Sequence, residues 1–175
     1  MDAEVILVDI NDFELGTMGK MEAHIKGQLH RAFSIFIFNS KQELLIQQRA
    51  SGKYHSAGLW TNTCCSHPQF GEETGNAAFR RLKEEMGMVC DLKQMFSFIY
   101  KAKFDNGLTE HEFDYVFFGT SDAIPQINKA EVQNWKYISM EDLSEQMEKH
   151  PEHYTEWLKN CFDSVYRYYR YYRIK

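Results

Sequence analysis

The sequence predicts one α+β domain, a mixed β-sheet flanked by helices. Three observations predict it. Short runs rich in aromatic and β-branched residues recur between turn residues, as at 32–39 (AFSIFIFN) and 43–49 (ELLIQQR). The stretch 74–87 instead carries apolar residues at helical spacing. Ser139-Met140-Glu141-Asp142 then resembles a capping box that opens a helical C-terminal part. The 175 residues suit a single domain, 1–175, able to bury a core, with 166–175 as a Tyr/Arg-rich helical tail.

Composition narrows the function classes. With 13 Phe and 10 Tyr, the chain is expected to fold rather than stay disordered. A net charge of −5 argues against general nucleic-acid affinity. The first ten residues, MDAEVILVDI, have neither a basic start nor a long apolar run, so no signal peptide or membrane span is expected. Four cysteines (Cys64, Cys65, Cys90, Cys161) make no disulfide framework at this length, which fits a reducing cytoplasm.

In chain order, 3–9 reads as a first strand and 11–19 as turn-rich. Lys20 to Arg31 reads as loop-like, with His24 and His30 six residues apart. Surface exposure is the commoner fate of a lone histidine. Strands 32–39 and 43–49 form a hairpin through Ser40-Lys41-Gln42. Residues 50–59 form a loop with Gly52, Lys53, His55 and Gly58, and 60–64 reads as one more strand. Arg49 and Lys53 can equally be solvated charges. Residues 89–92 connect to a second hairpin, 95–104 with 109–119, turning near Asp105-Asn106-Gly107. Alternation puts Glu110 and Glu112 on one face of its second strand and His111 and Phe113 on the other. A strand at 132–139, a helix to about 149 and a last helix from about 153 complete the order. In the tail, YRYYRYYRIK, tyrosines packed on the domain or on a second copy outweigh base stacking, given the acidic whole.

The chemistry concentrates in 60–88, WTNTCCSHPQFGEETGNAAFRRLKEEMGM. Thr74 is a candidate N-cap and Gly87 a candidate C′ residue. Ala78, Phe79, Leu82 and Met86 share one apolar arc, with Glu85 just off its edge and Arg81 further round. The bland alternative is a solvated helix with Arg80–Glu84 pairing. Cys65-Ser66-His67-Pro68 sets a thiol and an imidazole two residues apart. Cys64, on the opposite side of an extended chain, reads as a small buried residue. His24, His30, His67, Glu110 and Glu112 together make a five-ligand N/O set. Such a set suits Zn²⁺, Mn²⁺ or Fe²⁺ better than Mg²⁺ alone. They lie on three separate elements, so spacing alone does not assemble them.

The chain resembles the type 1 isopentenyl-diphosphate Δ-isomerases, enzymes of Nudix fold in isoprenoid synthesis. The carrying residues are Glu22-Ala23-His24, Leu29-His30-Arg31-Ala32-Phe33, Trp60-Thr61-Asn62-Thr63, Cys65-Ser66-His67-Pro68, Phe98-Ile99-Tyr100 and Glu110-His111-Glu112. Glu72, Arg80, Leu82, Glu84, Glu85 and Gly87 add a degenerate Nudix box. The resemblance implies a Nudix-type mixed sheet between helices, and a cytoplasmic enzyme converting isopentenyl to dimethylallyl diphosphate. It implies that His24, His30, His67, Glu110 and Glu112 hold a first divalent metal, Mn²⁺ or Zn²⁺. Glu85 holds Mg²⁺ bridged to the substrate diphosphate. Cys65 and Glu112 are the proton-transfer groups, with Tyr100 beside Glu112. Trp157 faces the allylic part of the substrate, and Lys20, Arg49, Lys53 and Arg81 hold the diphosphate. The expected partner is that small molecule, with no nucleic acid and no membrane, in a monomer or homodimer.

Two departures from the usual box matter. Ser66 stands where the box begins with Gly, and Arg81 where a hydrolase carries an acid. Losing that carboxylate weakens a water-activating metal cluster, and Arg81 offers a phosphate clamp. The rivals are a Nudix-type diphosphate hydrolase and a non-enzymatic metal- or RNA-binding module.

Overall fold

The computed structural model describes residues 3–172; the first two positions and the last three of the tail lie outside the described residues. Nine strands form one mixed sheet. β1 (Glu4–Val8) pairs with β2 (Glu14–Gly19), and α1 (Lys20–Lys26) leads into β3 (His30–Phe38). β4 (Leu44–Arg49), β5 (Trp60–Thr61) and β6 (Cys64–Ser66) precede the helix α2 (Thr74–Met86). β7 (Leu92–Lys103), β8 (Thr109–Thr120) and β9 (Val132–Ile138) follow, then α3 (Met140–Lys149), a 3₁₀ turn and α4 (Glu156–Tyr172). β3 and β8 run parallel; the other pairs are antiparallel.

Alternation along β3 builds two cores. Phe33, Ile35 and Ile37 pack with Ala78, Leu82 and Met86 of α2. Phe36 and Phe38 pack on the other face with Leu143 of α3 and Leu158, Phe162 and Val165 of α4. The sheet is therefore sandwiched by helices, as period-2 strands with two apolar faces require. Ser139 caps α3 by accepting from the Asp142 amide at 3.0 Å.

Several local expectations are corrected. The N-cap of α2 is Glu73, not Thr74, and it makes no side-chain cap bond. Phe79 is 43% exposed; Ala77 and Glu85 take its place on the buried face. Gly87 does end the helix, at φ 63°. Residues 14–19 and 20–26 are a strand and a helix rather than turn and loop. β2 alternates poorly and carries two glycines, while α1 is seven residues long and starts without a side-chain cap, so neither shows a periodic signal.

The expected strand 60–64 is broken, and the break positions the site. β3 and β4 pair only at Ile37↔Leu45 and Phe38↔Leu44, then splay apart. The chain at 60–66 fills the wedge: β5 pairs with β4, and β6 pairs with β3 through Ser34↔Cys65. Asn62 and Thr63, fully buried, supply the missing hydrogen bonds. Asn62 donates to the carbonyls of Cys64 (2.8 Å) and Ile35 (3.2 Å), and Thr63 Oγ1 donates to Leu45 O (2.6 Å). Buried backbone groups need such partners.

Three of the tail tyrosines meet the domain, whereas Tyr171 is exposed. Tyr168 stacks on Phe96 and Tyr169 on Phe38, with ring centroids 4.8 and 5.0 Å apart, and Tyr166 donates to Glu141.

Candidate active site

The site lies on the α4 side of the sheet, where β3 and β8 begin. Their parallel register sets His30 beside Glu112, and the β7–β8 register sets Tyr100 opposite Glu112. α1 carries Lys20 and His24 over this edge. His67 leaves the end of β6. Cys64 faces the α2 core, fully buried, while Cys65 packs with Tyr100, Trp157 and Phe98 on the other face. The two cysteines thus part as adjacent strand residues must.

Four donors converge. Ligand atoms of His24, His30, His67 and Glu112 all lie within 4.8 Å of one another. His67 Nε2 is 3.0 Å and His30 Nε2 is 3.5 Å from Glu112 Oε1. His30 Nδ1 donates to Gln28 O at 2.8 Å, and His24 Nδ1 lies 3.1 Å from the Tyr54 hydroxyl. The Nε2 atoms of His24 and His30 are buried without a hydrogen-bond partner. Buried orphan nitrogens cost free energy unless something meets them. Burial first, then neighbouring positive groups including Lys20, depress His24 and His67 to about 3. Burial works to raise Glu112, but His30 and His67 overcome it and keep the carboxylate ionised. Neutral imidazoles beside a carboxylate fit a divalent cation of borderline type.

Glu110 is not among these four donors. Its Oε1 is 3.0 Å from His55 Nε2, and its Oε2 accepts from Tyr100. Tyr100's hydroxyl sits 2.9 Å from Glu110 and 2.6 Å from Glu112. It stays protonated, since burial and then both carboxylates raise its pKa.

A cavity of about 40 Å³ adjoins the cluster, lined among others by Lys20, Arg49, Cys65, Tyr100, Glu112 and Trp157. The Cys65 thiol is held protonated, mainly by burial. Burial also lowers the Lys20 ammonium, against Glu112 and Glu110. The Arg49 guanidinium stands 5.0 Å over the Trp157 ring, with its Nε buried and unpartnered.

Three predicted residues lie elsewhere. Lys53 pairs with Glu131. Arg81 joins Glu84 at 2.8 Å and Glu85 at 2.5 Å, and Glu131 at 3.5 Å. Glu85 is buried and also accepts from Gln47 at 3.3 Å. None of the three lines the cavity. Sequence reasoning passed over Tyr54 and His55, both of which do line it. Their loop has no period to read, and a lone His and Tyr beside Lys53 carry no spacing signal.

Residues 28–161 match the NUDIX domain. The chain is 54% identical over 165 residues to isopentenyl-diphosphate Delta-isomerase 2 of Aromatoleum aromaticum, covering 94% of this chain and 87% of that one. It is 54% identical over 162 residues to the isopentenyl-diphosphate Delta-isomerase of Pectobacterium atrosepticum, covering 93% and 90%. Among solved structures, a MutT protein of Methanosarcina mazei superposes with a TM-score of 0.66 at 17% identity, over 79% of this chain and 94% of that one. That likeness shows the fold alone. With a NUDIX match over most of its length and relatives at about half identity, the chain belongs to the isopentenyl-diphosphate Delta-isomerase family of NUDIX proteins.

Proposed function

We propose that this protein interconverts isopentenyl diphosphate and dimethylallyl diphosphate, with Cys65 and Glu112 as the two proton-transfer groups. The carrying observation is that a protonated thiol and an ionised carboxylate line one small cavity. Between them they hold one proton, which is the balance the reaction needs. One group adds a proton at the terminal carbon and the other removes one from the neighbouring methylene. Tyr100 keeps the Glu112 carboxylate oriented. Exclusion of water keeps the carbocation-like centre from being trapped. Trp157 offers a π face worth roughly 0.5–2 kcal/mol to that centre. Placement and preorganised charge supply the rest.

His24, His30, His67 and Glu112 would hold Mn²⁺ or Zn²⁺, with Glu110 beside them. That ion supplies fixed positive charge that orients Glu112 and tunes its acidity. Glu85 would hold Mg²⁺ against the diphosphate. Lys20 and Arg49 reach the diphosphate from the cavity wall; Lys53 and Arg81 do so by exchanging a carboxylate partner for phosphate. The cavity has room for a few waters, so the substrate enters only as lining side chains shift. Tyr54, 38% exposed, is the most open of the large ones. The working unit is the single domain 1–175, residing in the cytoplasm.

Incubation with isopentenyl diphosphate in D₂O, read by NMR, tests the reading. Deuterium in a methyl group of dimethylallyl diphosphate is the expected result. Phosphate release without allylic product would favour the hydrolase instead.

A further inference from the structure

His55 has no part in the reaction described above, yet it is built into the site wall. It is 6% exposed and comes from the loop between β4 and β5. Its ring stacks on Phe104 at 4.8 Å, 15° from parallel, and meets Trp157 edge-on at 6.0 Å. Its Nε2 lies 3.0 Å from Glu110 Oε1, off the line of a hydrogen bond, and is otherwise buried without a partner. Its Nδ1 lies 3.3 Å from Ser56 Oγ. Ser56 holds φ 50°, uncommon for a residue with a side chain, and this turn brings its hydroxyl back to the ring.

We infer that His55 is a positioning residue, whose Nε2–H fixes the Glu110 carboxylate at the edge of the metal cluster. The inference rests on the reading of that cluster as a metal centre. The neighbouring carboxylate selects the tautomer: a lone pair on Nε2 would face Oε1 repulsively at 3.0 Å, so the ring proton belongs on Nε2, a slight tilt from donating to Glu110, with Nδ1 left to accept from Ser56. Glu110 then has a neighbour at each oxygen, His55 in ion-pair contact at Oε1 and Tyr100 hydrogen-bonded at Oε2. Tyr100 also reaches Glu112, so an unbroken chain of contacts runs His55–Glu110–Tyr100–Glu112. Without His55, Glu110 keeps only one tether and can swing toward or away from the imidazoles. Outer partners of this kind typically govern 10–100-fold in metal affinity or activity.

The test separates the ring's two roles, stacking and donating. His55→Phe keeps the stack on Phe104 and loses the donor. His55→Asn loses both the stack and the reach to Glu110. His55→Gln loses the stack but carries an amide N–H to about the position of Nε2. Mn²⁺ affinity is measured by electron paramagnetic resonance titration of the chelator-treated full chain, with circular dichroism to verify folding. Turnover of isopentenyl diphosphate is followed in parallel. The Phe and Asn variants are expected to bind Mn²⁺ about 10–100-fold more weakly, and Gln to stay within about threefold of wild type. The same two variants should lose kcat while KM changes by less than about threefold, because Glu110 and Tyr100 orient the reacting groups rather than the diphosphate. If Phe fails to fold, Asn against Gln carries the comparison. Wild-type Mn²⁺ affinity in Phe or Asn, or equal loss in all three, overturns the inference while leaving the isomerase reading intact. A folded wild-type chain that binds neither Mn²⁺ nor Zn²⁺ overturns the inference together with the metal-centre reading it rests on, while the D₂O experiment decides the isomerase reading separately.

Discussion

Acid should destabilise the metal-free protein through two histidines in particular. His24 and His67 are each depressed from 6.5 to about 3 by burial and then by neighbouring positive groups. Once unfolded, both rings titrate near the ordinary value. Between those limits the unfolded chain binds more protons than the folded one, so stability falls as pH drops below about 6.5. From about pH 7.5 to about pH 5 each ring removes roughly 2 kcal/mol by proton linkage. The pair therefore removes about 2–4 kcal/mol, less than the full sum because each ring already opposes charging of the other. Glu112, depressed, adds its loss only below about pH 4.5. Asp114, raised by burial and then by Glu112, acts in the opposite sense. Urea unfolding of chelator-treated protein, followed by circular dichroism at the two pH values, measures the difference. A His24→Gln/His67→Gln variant lacks both rings and should show a pH loss smaller by about 2–4 kcal/mol. An unchanged pH slope in that variant would refute the burial argument. Mn²⁺ at a hundred times its dissociation constant should restore about 2.7 kcal/mol near neutral pH in wild type, and much less in the variant.

Other changes test neighbouring parts of the argument. Cys65→Ala and Glu112→Gln should each lower turnover by about 10²–10⁴-fold or more with the melting temperature nearly unchanged. Cys64→Ala should leave turnover intact and lower only stability; the reverse pattern would shift the thiol assignment by one residue. Arg49→Lys keeps the charge but loses the planar stack on Trp157, so KM should rise roughly tenfold with a smaller effect on kcat. Gly87→Ala should cost at least about 2 kcal/mol in denaturant unfolding. Its Cβ would stand 2.6 Å from the Gln126 carbonyl oxygen, at φ +63°.

What the sequence disclosed follows from which interactions are periodic. β3, β4, β7, β8 and α2 announce themselves because each buries a regular face, and Gly87 and Ser139 mark helix ends by their own backbone chemistry. Glu110 and Glu112 share a burial class for the same reason of alternation. α1 and β2 bury too little to leave a pattern, though they carry Lys20 and His24. The partners of Glu110 and Arg81 were illegible for another reason. His55 is 55 residues from Glu110, and Glu131 is 50 from Arg81, so no local rule connects them. The resemblance supplied the list of site residues; the fold supplied which of them touch.

The splay between β3 and β4 links these observations. A continuous β3–β4 ladder would leave no gap beside Ser34, and Cys65 could not pair there. Opening the ladder exposes backbone groups in a dry interior, at a cost of a few kcal/mol each if unmet. Asn62, Thr63 and Gln47 meet them, Gln47 donating to Thr63 O at 3.1 Å. Gln47 also reaches Glu85, so the same wedge joins the thiol on one side to the α2 carboxylate on the other. Arg81, held by Glu84, Glu85 and Glu131, stands as a cation where a hydrolytic box carries a further acid. The wedge thus sets a thiol against the small cavity beside Glu112, and the guanidinium restrains the box beside it, which favours moving a proton over cleaving a diphosphate.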